Sequence, residues 1–240
     1  MPVDVDRVVS ELRAEAVPTS LVGMGRYGIK TADALGVSLP KLRALAKRVG
    51  KDHGLAIALW NTGIHEARML AALVDVPSEV TERQMDRWAR ELDSWDVCDC
   101  CCSNLFDRTS YAYVKAIQWS GEEPEFVKRA GFALMAALAV HDKKEHDERF
   151  VGFLAAIRGG ATDDRNFVRK AVDWALRQIG KRSLRLNEDC VRLAREIQKS
   201  DSRSAKWIAS DALRELTSTE VQDRLKKRAR GSDRRRKRDS

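Results

Sequence analysis

Trp95 and Asp99 lie four positions apart in the stretch Leu92–Asp107, LDSWDVCDCCCSNLFD, and no other pair in the chain is better suited to chemistry. On a helix that spacing puts both side chains on one face. Ionised Asp is costly to bury without a partner, so a carboxylate beside an indole makes a poor core. It suits a site that stabilises positive charge, the anion supplying attraction and the aromatic face a cation–π surface. The competing role for an acid here is to cap a helix that begins near Trp95. Asp93 and Ser94 fit that role; Asp99, beyond the first turn, fits it poorly.

The neighbouring cysteines raise the question of a metal. Cys98, Cys101 and Cys102 fall on one helical face, but structural zinc sites draw ligands from two separated pairs, and the other cysteine outside this cluster is the lone Cys190. Three thiols on one turn read as soft packing residues, and no metal or cofactor is expected. The sequence has no Gly-rich phosphate loop, no Ser/His/Asp arrangement with usable spacing and no His-x-x-x-His pair. His141 and His146, in HDKKEHDE, read as a solvated connection.

The elements that must position these residues are helices. Apolar residues recur at three- and four-residue spacing, as in Leu42/Leu45/Ala46/Val49 and Phe167/Ala171/Trp174/Ala175/Ile179, and strand signals are nearly absent. Pro40, Pro77 and Pro124 stand where helices would begin, and Ser38, Ser78, Asp163 and Ser202 are candidate caps. Trp60 and Trp207 read as core anchors, Trp88 as part of an amphipathic helix, and Trp119 as a residue near a helix end. Trp174 is compatible with a core position or with an exposed face.

The helices also resemble one another. HEARMLAAL (65–73) aligns with FVKRAGFAL (126–134), setting Arg68 over Arg129. FVKRA (126–130) aligns with FVRKA (167–171), 41 residues later, and AKWIASDALREL (205–216) is a fourth copy at a slightly shorter interval. A period near 40 with about two helices per unit predicts an all-α, HEAT-like helical-repeat solenoid, an α-α superhelix with one concave face. The repeated basic position, Arg68, Arg129 and Lys170, would then recur along that face, unless these are simply solvated helix ends.

The net charge of +8 belongs to one end of the chain. Residues 224–240 hold ten basic and two acidic side chains, while residues 1–223 balance 34 against 34. The expected organisation is a repeat domain over 1–223 and a disordered basic tail over 224–240, which serves either as a handle for a polyanion or only for solubility. The acidic N-terminal stretch is unlike a signal peptide, and the longest small-and-apolar run, Gly131–Val140, is half a membrane span. Four cysteines crowded into five positions cannot form a spread disulfide framework, which points to a reducing, cytoplasmic setting.

Four segments together resemble the DNA alkylation repair family, the alkylpurine DNA glycosylases built from HEAT-like repeats. They are 24–45 (MGRYGIKTADALGVSLPKLRAL), 59–73 (LWNTGIHEARMLAAL), 94–99 (SWDVCD), and the pair VKRA with FVRKAVDWALRQ. The resemblance implies that Asp99 is the catalytic carboxylate, that Trp95 and Trp174 are the site tryptophans, that Arg129 contacts phosphate, and that Tyr27 lies near the lesion. It further implies excision of N3- and N7-alkylated purines without a metal and without turning the base into a pocket.

The expected function is therefore base excision repair by a monofunctional glycosylase, a hydrolase acting as a monomer on double-stranded DNA with alkylated bases and independent of membranes. The catalytic residues would be Asp99, Trp95 and Trp174, and the DNA-binding residues Arg129, Tyr27, Arg68 and Lys170. A catalytically silent protein that binds DNA structures and a protein-interaction scaffold are the alternatives.

Overall fold

A computed structural model describes residues 4–236, with side chains described through residue 230. Among the described residues the chain is helical and contains no strand. It forms two compact units, Met1–Ala112 and Tyr113–Ser240. No described helix is long and apolar enough to cross a membrane.

The first unit contains α1 (Val5–Ala14), α2 (Thr19–Arg26), α3 (Leu39–Val49), α4 (His53–Asn61), α5 (His65–Val74), α6 (Glu82–Glu91) and α7 (Trp95–Asn104), followed by a 3-10 turn at Phe106–Arg108. Side chains close several helix starts: Asp52 accepts from Leu55 N at 2.8 Å and Thr81 from Gln84 N at 3.1 Å. Pro40 sits in the first turn of α3, and Ser38 is its extended N-cap residue without a side-chain bond. The cap of α6 is Thr81, not Ser78, and Pro77 lies in the preceding turn. The core centres on Trp60 and Trp88, whose rings stack 4.0 Å apart, with Phe106 tilted against Trp88. Equivalent contacts recur at a spacing of 31 residues, as α5 runs alongside α7 with His65 beside Asp96 and the Met69 carbonyl beside Cys100.

The second unit contains α8 (Ala112–Ser120, whose first residue closes the first unit), α9 (Glu125–His141), α10 (Asp147–Val151), α11 (Phe153–Gly160), α12 (Asn166–Gly180), α13 (Leu184–Ile197), α14 (Arg203–Leu216) and α15 (Thr219–Arg236). Here the aligned sequence copies become parallel neighbours. Phe126 of α9 stacks on Phe167 of α12 at 5.5 Å, and Arg182, just past the end of α12, donates to Ala139 O of α9 at 3.0 Å. From α12 to α14 the spacing shortens to 38, with Arg169 over Trp207 and Arg177 bound to Glu215. Small residues allow the close approach: a Cβ on Gly131 would meet Ser120 N at 2.4 Å, and one on Gly180 would meet Leu216 at 2.8 Å.

Three expectations are corrected in this unit. Trp207 is not a core anchor but is 39% exposed, because its ring serves as a seat for the Arg169 guanidinium. Asp163 does not cap α12; it holds the guanidinium of Arg165, the residue that precedes the helix. The stretch 224–236 of the expected disordered tail is helical, because Val221 and Leu225 bury one side of α15 and anchor it. Residues 237–240 of that expected tail lie outside the described residues.

A candidate active-site cleft and a cationic face

In the first unit, α7 opens at Ser94, whose backbone is extended and whose side chain is buried. Its hydroxyl donates to Asp96 Oδ1 at 2.8 Å, and the Val97 amide donates to the same oxygen at 3.0 Å. The other oxygen, Oδ2, meets His65 Nε2 at 2.8 Å. Burial works against the charge on both partners. For Asp96 the bonds from His65, Ser94 and Val97 outweigh it and hold the carboxyl below its usual range. For His65 the Asp96 hydrogen bond and charge outweigh it, with Glu66 and Asp93 contributing, so the imidazole is raised above its usual range. The pair ties α5 to α7, and each partner favours the charged form of the other.

One residue along, Glu66 is 1% exposed, and its carboxylate accepts from the amides of Leu35, Gly36 and Val37 at 2.8, 2.7 and 3.2 Å. This clamps the turn that leads into α3. Gly36 has φ +79, and a Cβ there would lie 2.3 Å from Val17 O, so only glycine fits.

Between the clamped turn and the bridged helix lies a cleft of about 510 Å³. Trp95 and Asp99 both line it, one turn apart on α7, as do His65 and Asp96. Its apolar walls include Met24, Ile29, Leu39 and Met69, and Arg43 also reaches it. Trp95 is fixed from outside, its Nε1 donating to Tyr27 O at 3.1 Å, while the Tyr27 side chain is 75% exposed. Trp95 and Asp99, singled out in the sequence, thus share the cleft, and the Tyr27 backbone meets Trp95, whereas sequence reasoning missed His65, Asp96 and Glu66. The available signal was the adjacent acid in SWDVCD and the paired ionisable residues that open HEARMLAAL.

Arg68, expected among the DNA-binding residues, has several partners within the first unit. Its guanidinium lies 5.4 Å from the Trp60 ring centre, donates to Glu91 O at 3.3 Å and sits 3.8 Å from Asp93. Packing on the tryptophan core and the nearby Asp93 carboxylate engage this charge within the unit.

The cysteines of α7 are buried. Burial pushes the Cys100 thiol up to about 12, and those of Cys101 and Cys102 also rise, so they pack as neutral thiols. Among the described residues, no group of three His, Cys, Asp or Glu side chains is placed to hold a metal ion.

The second unit holds Arg129, the expected phosphate contact. It is 5% exposed and donates to Phe167 O at 2.7 Å, bracing the start of α12. Lys170 is exposed and Trp174 half-buried one turn further along α12. With its carboxamide oxygen turned toward Trp174, Gln178 accepts from the indole Nε1 at 3.2 Å. A separate cationic face gathers around α15, where Arg224, Lys227 and Arg228 are exposed at helical spacing. Partial burial and the charges of Arg182, Arg228 and Arg224 push the Lys143 ammonium below its usual range.

The profile of a family described as DNA alkylation repair enzyme matches residues 8–216. A solved structure, described as "a new family of proteins related to the HEAT-like repeat DNA glycosylases with affinity for branched DNA structures", is similar with a TM-score of 0.75 and 19% identity. The match covers 89% of this chain and 96% of that one, and it carries the HEAT-like repeat fold. No curated protein matches the sequence.

Proposed function

The chain belongs to the DNA alkylation repair enzyme family, and from that premise we propose that it is a monofunctional DNA glycosylase that hydrolyses the N-glycosidic bond of cationic N3- and N7-alkylated purines in duplex DNA. The observation that carries this reading is the common cleft of Trp95 and Asp99. An alkylated purine is already cationic, so it leaves without a general acid. The electron pair of the breaking bond passes to the ring nitrogen and neutralises the base. Deoxyribose becomes oxocarbenium-like, and the Asp99 carboxylate stabilises that charge and positions a water. The water oxygen bonds to the sugar carbon and its proton passes through Asp99 to solvent, leaving an abasic site and a neutral base. Trp95 supplies an aromatic face for the cation.

Tyr27 beside Trp95 and, in the second unit, Lys170 and Trp174 are assigned to DNA contact. Arg129 is assigned to positioning α12 and Arg68 to packing, on the geometry given above. The cationic face of α15 is assigned to sequence-independent contact with phosphates. The proposed working state is a cytoplasmic monomer.

A second reading has its own support: the similar solved protein is described by its affinity for branched DNA. That reading makes this chain a non-catalytic binder of DNA junctions. Incubation with duplexes containing 3-methyladenine or 7-methylguanine, followed by mild base to score abasic sites, separates the two. Strand breaks at the lesion support the glycosylase; intact strands together with preferential binding of a four-way junction support the alternative.

A further inference from the structure

Trp207 stands open on the second unit and takes no part in the chemistry assigned to the first. Its helix, α14, buries Ala205, Ile208, Ala209, Ala212 and Leu216, but the indole lies off that side and is 39% exposed. Burial is what an indole usually contributes, so this position calls for a partner outside the core. The ring is already seated on one side. The Arg169 guanidinium of α12 lies 4.8 Å from the ring centre, and its Nη2 donates to Asn166 Oδ1 at 3.1 Å. Arg169 Nε is buried without a hydrogen-bond partner, and the indole face offsets part of the cost of taking that charge from water.

The surroundings are cationic. Arg203 and Lys206 are exposed at the start of α14, and neither forms an ion pair among the described residues. Positive charge at that end opposes the helix dipole, and the first turn holds no acid to balance it. The acids further along α14, Asp211 and Glu215, are already engaged by Arg177, Lys181 and Arg214. Arg203 stands four residues before Trp207, so the two share a face of the helix. An open indole is thus seated on one guanidinium and accompanied by two uncompensated cations. A polyanion alone would use the cations and leave the indole idle. The bases of a duplex are stacked on one another, whereas an unpaired base offers a free π-face beside its own phosphate.

We propose that Trp207 is a stacking platform for an unpaired base of single-stranded DNA, with Arg203 and Lys206 on the flanking phosphates. DNA at a gap, fork or loop supplies such a strand. The interaction requires neither catalysis at Asp99 nor recognition of a junction, so its test is separate from that of both readings above.

The test uses the full chain and three ligands of matched negative charge. They are a dT oligomer of about 12 nucleotides, within the range of single-strand sites, an abasic oligomer of the same length built from tetrahydrofuran units, and a poly-glutamate peptide. Fluorescence anisotropy of labelled ligands gives the affinities of the wild type, Trp207→Ala, Trp207→Leu, Trp207→Phe and the double variant Arg203→Gln with Lys206→Gln. Circular dichroism checks their folding. The wild type is expected to bind the dT oligomer about fivefold or more tightly than the abasic oligomer and the peptide. Trp207→Ala and Trp207→Leu should remove that preference and Trp207→Phe should keep most of it, all three leaving affinity for the abasic oligomer unchanged. The double variant should weaken both oligomers and lower the salt slope by about 1.4, each single-strand phosphate contact contributing about 0.7. Equal binding of the dT and abasic oligomers by the wild type overturns the proposal, as does an undiminished preference in either folded variant that lacks the ring. Peptide binding as tight as that of the dT oligomer marks a general polyanion surface and overturns it as well.

Discussion

Two aspartates withdrawn from water, Asp96 partly and Asp173 almost wholly, meet opposite electrostatic fates. Asp96 of the first unit is taken from water but receives His65, the Ser94 hydroxyl and the Val97 amide, and stays ionised. Asp173 of the second unit is 2% exposed and is pushed up to about 7 by burial, with Asp211 adding to the rise against the pull of Arg177. The first unit spends buried polar groups on fixing a cleft that holds carboxylates, whereas the second collects cations on α15 and around Lys143. In the proposed function the carboxylates of the first unit serve the chemistry and the cations of the second serve contact with phosphates.

The sharpest way to break this contrast is to remove Glu66. Glu66→Ala leaves three amides of the 35–37 turn without their acceptor and should cost about 3 kcal/mol. Hydrogen exchange should quicken at Leu35–Val37 and along α3 while α12 and α14 keep their protection. Uniform loss of protection in both units would mean that the clamp is not local to the cleft.

On the cationic side, Arg224, Lys227 and Arg228 can be changed together to Gln. Leu225 is 1% exposed, so neutralising charges is a cleaner test than deleting the segment. The slope of log K for DNA against log salt should fall by about 2 to 3, since each lost phosphate contact removes about 0.9. Excision at saturating enzyme should survive. An unchanged slope would leave α15 a solubility device.

The smallest expected effect concerns Asp173. Because its folded carboxyl binds a proton more tightly than an unfolded one, the stability it contributes is full below about pH 4 and is lost as pH rises to about 7. Asp173→Asn should remove that loss, so the melting temperature of the variant relative to wild type should be higher at pH 8 than at pH 5. The expected difference is of order 1 kcal/mol. A relative melting temperature that does not move with pH would contradict the assignment.

What could be read from the sequence follows a physical line. Helical periodicity and the alignment of FVKRA with FVRKA express local and repeated constraints, and in the structure the first residues of the two copies, Phe126 and Phe167, stack. The shorter interval to the fourth copy appears as the 38-residue spacing of Arg177 and Glu215. Trp95 and Asp99 were legible because their relation is contained within one turn. His65 and Asp96 were not, since their bridge depends on how α5 registers against α7 across 31 residues. Arg68 and Arg129 share a register in the sequence, yet both are consumed by neighbours that no local pattern reveals, a tryptophan face in one case and a carbonyl in the other. Similarly, a run of Arg and Lys reads as disorder until Val221 and Leu225 are seen to anchor it.

The central claim is that Asp99 performs chemistry in a cleft that the rest of the first unit holds open. Its most direct test is single-turnover release of 3-methyladenine from duplex DNA by the wild type and by Asp99→Asn, with DNA affinity measured on the same preparations. The account predicts release by the wild type, a fall of ~10²-fold or more in the variant, and unchanged DNA affinity. Equal release by the two proteins would contradict it.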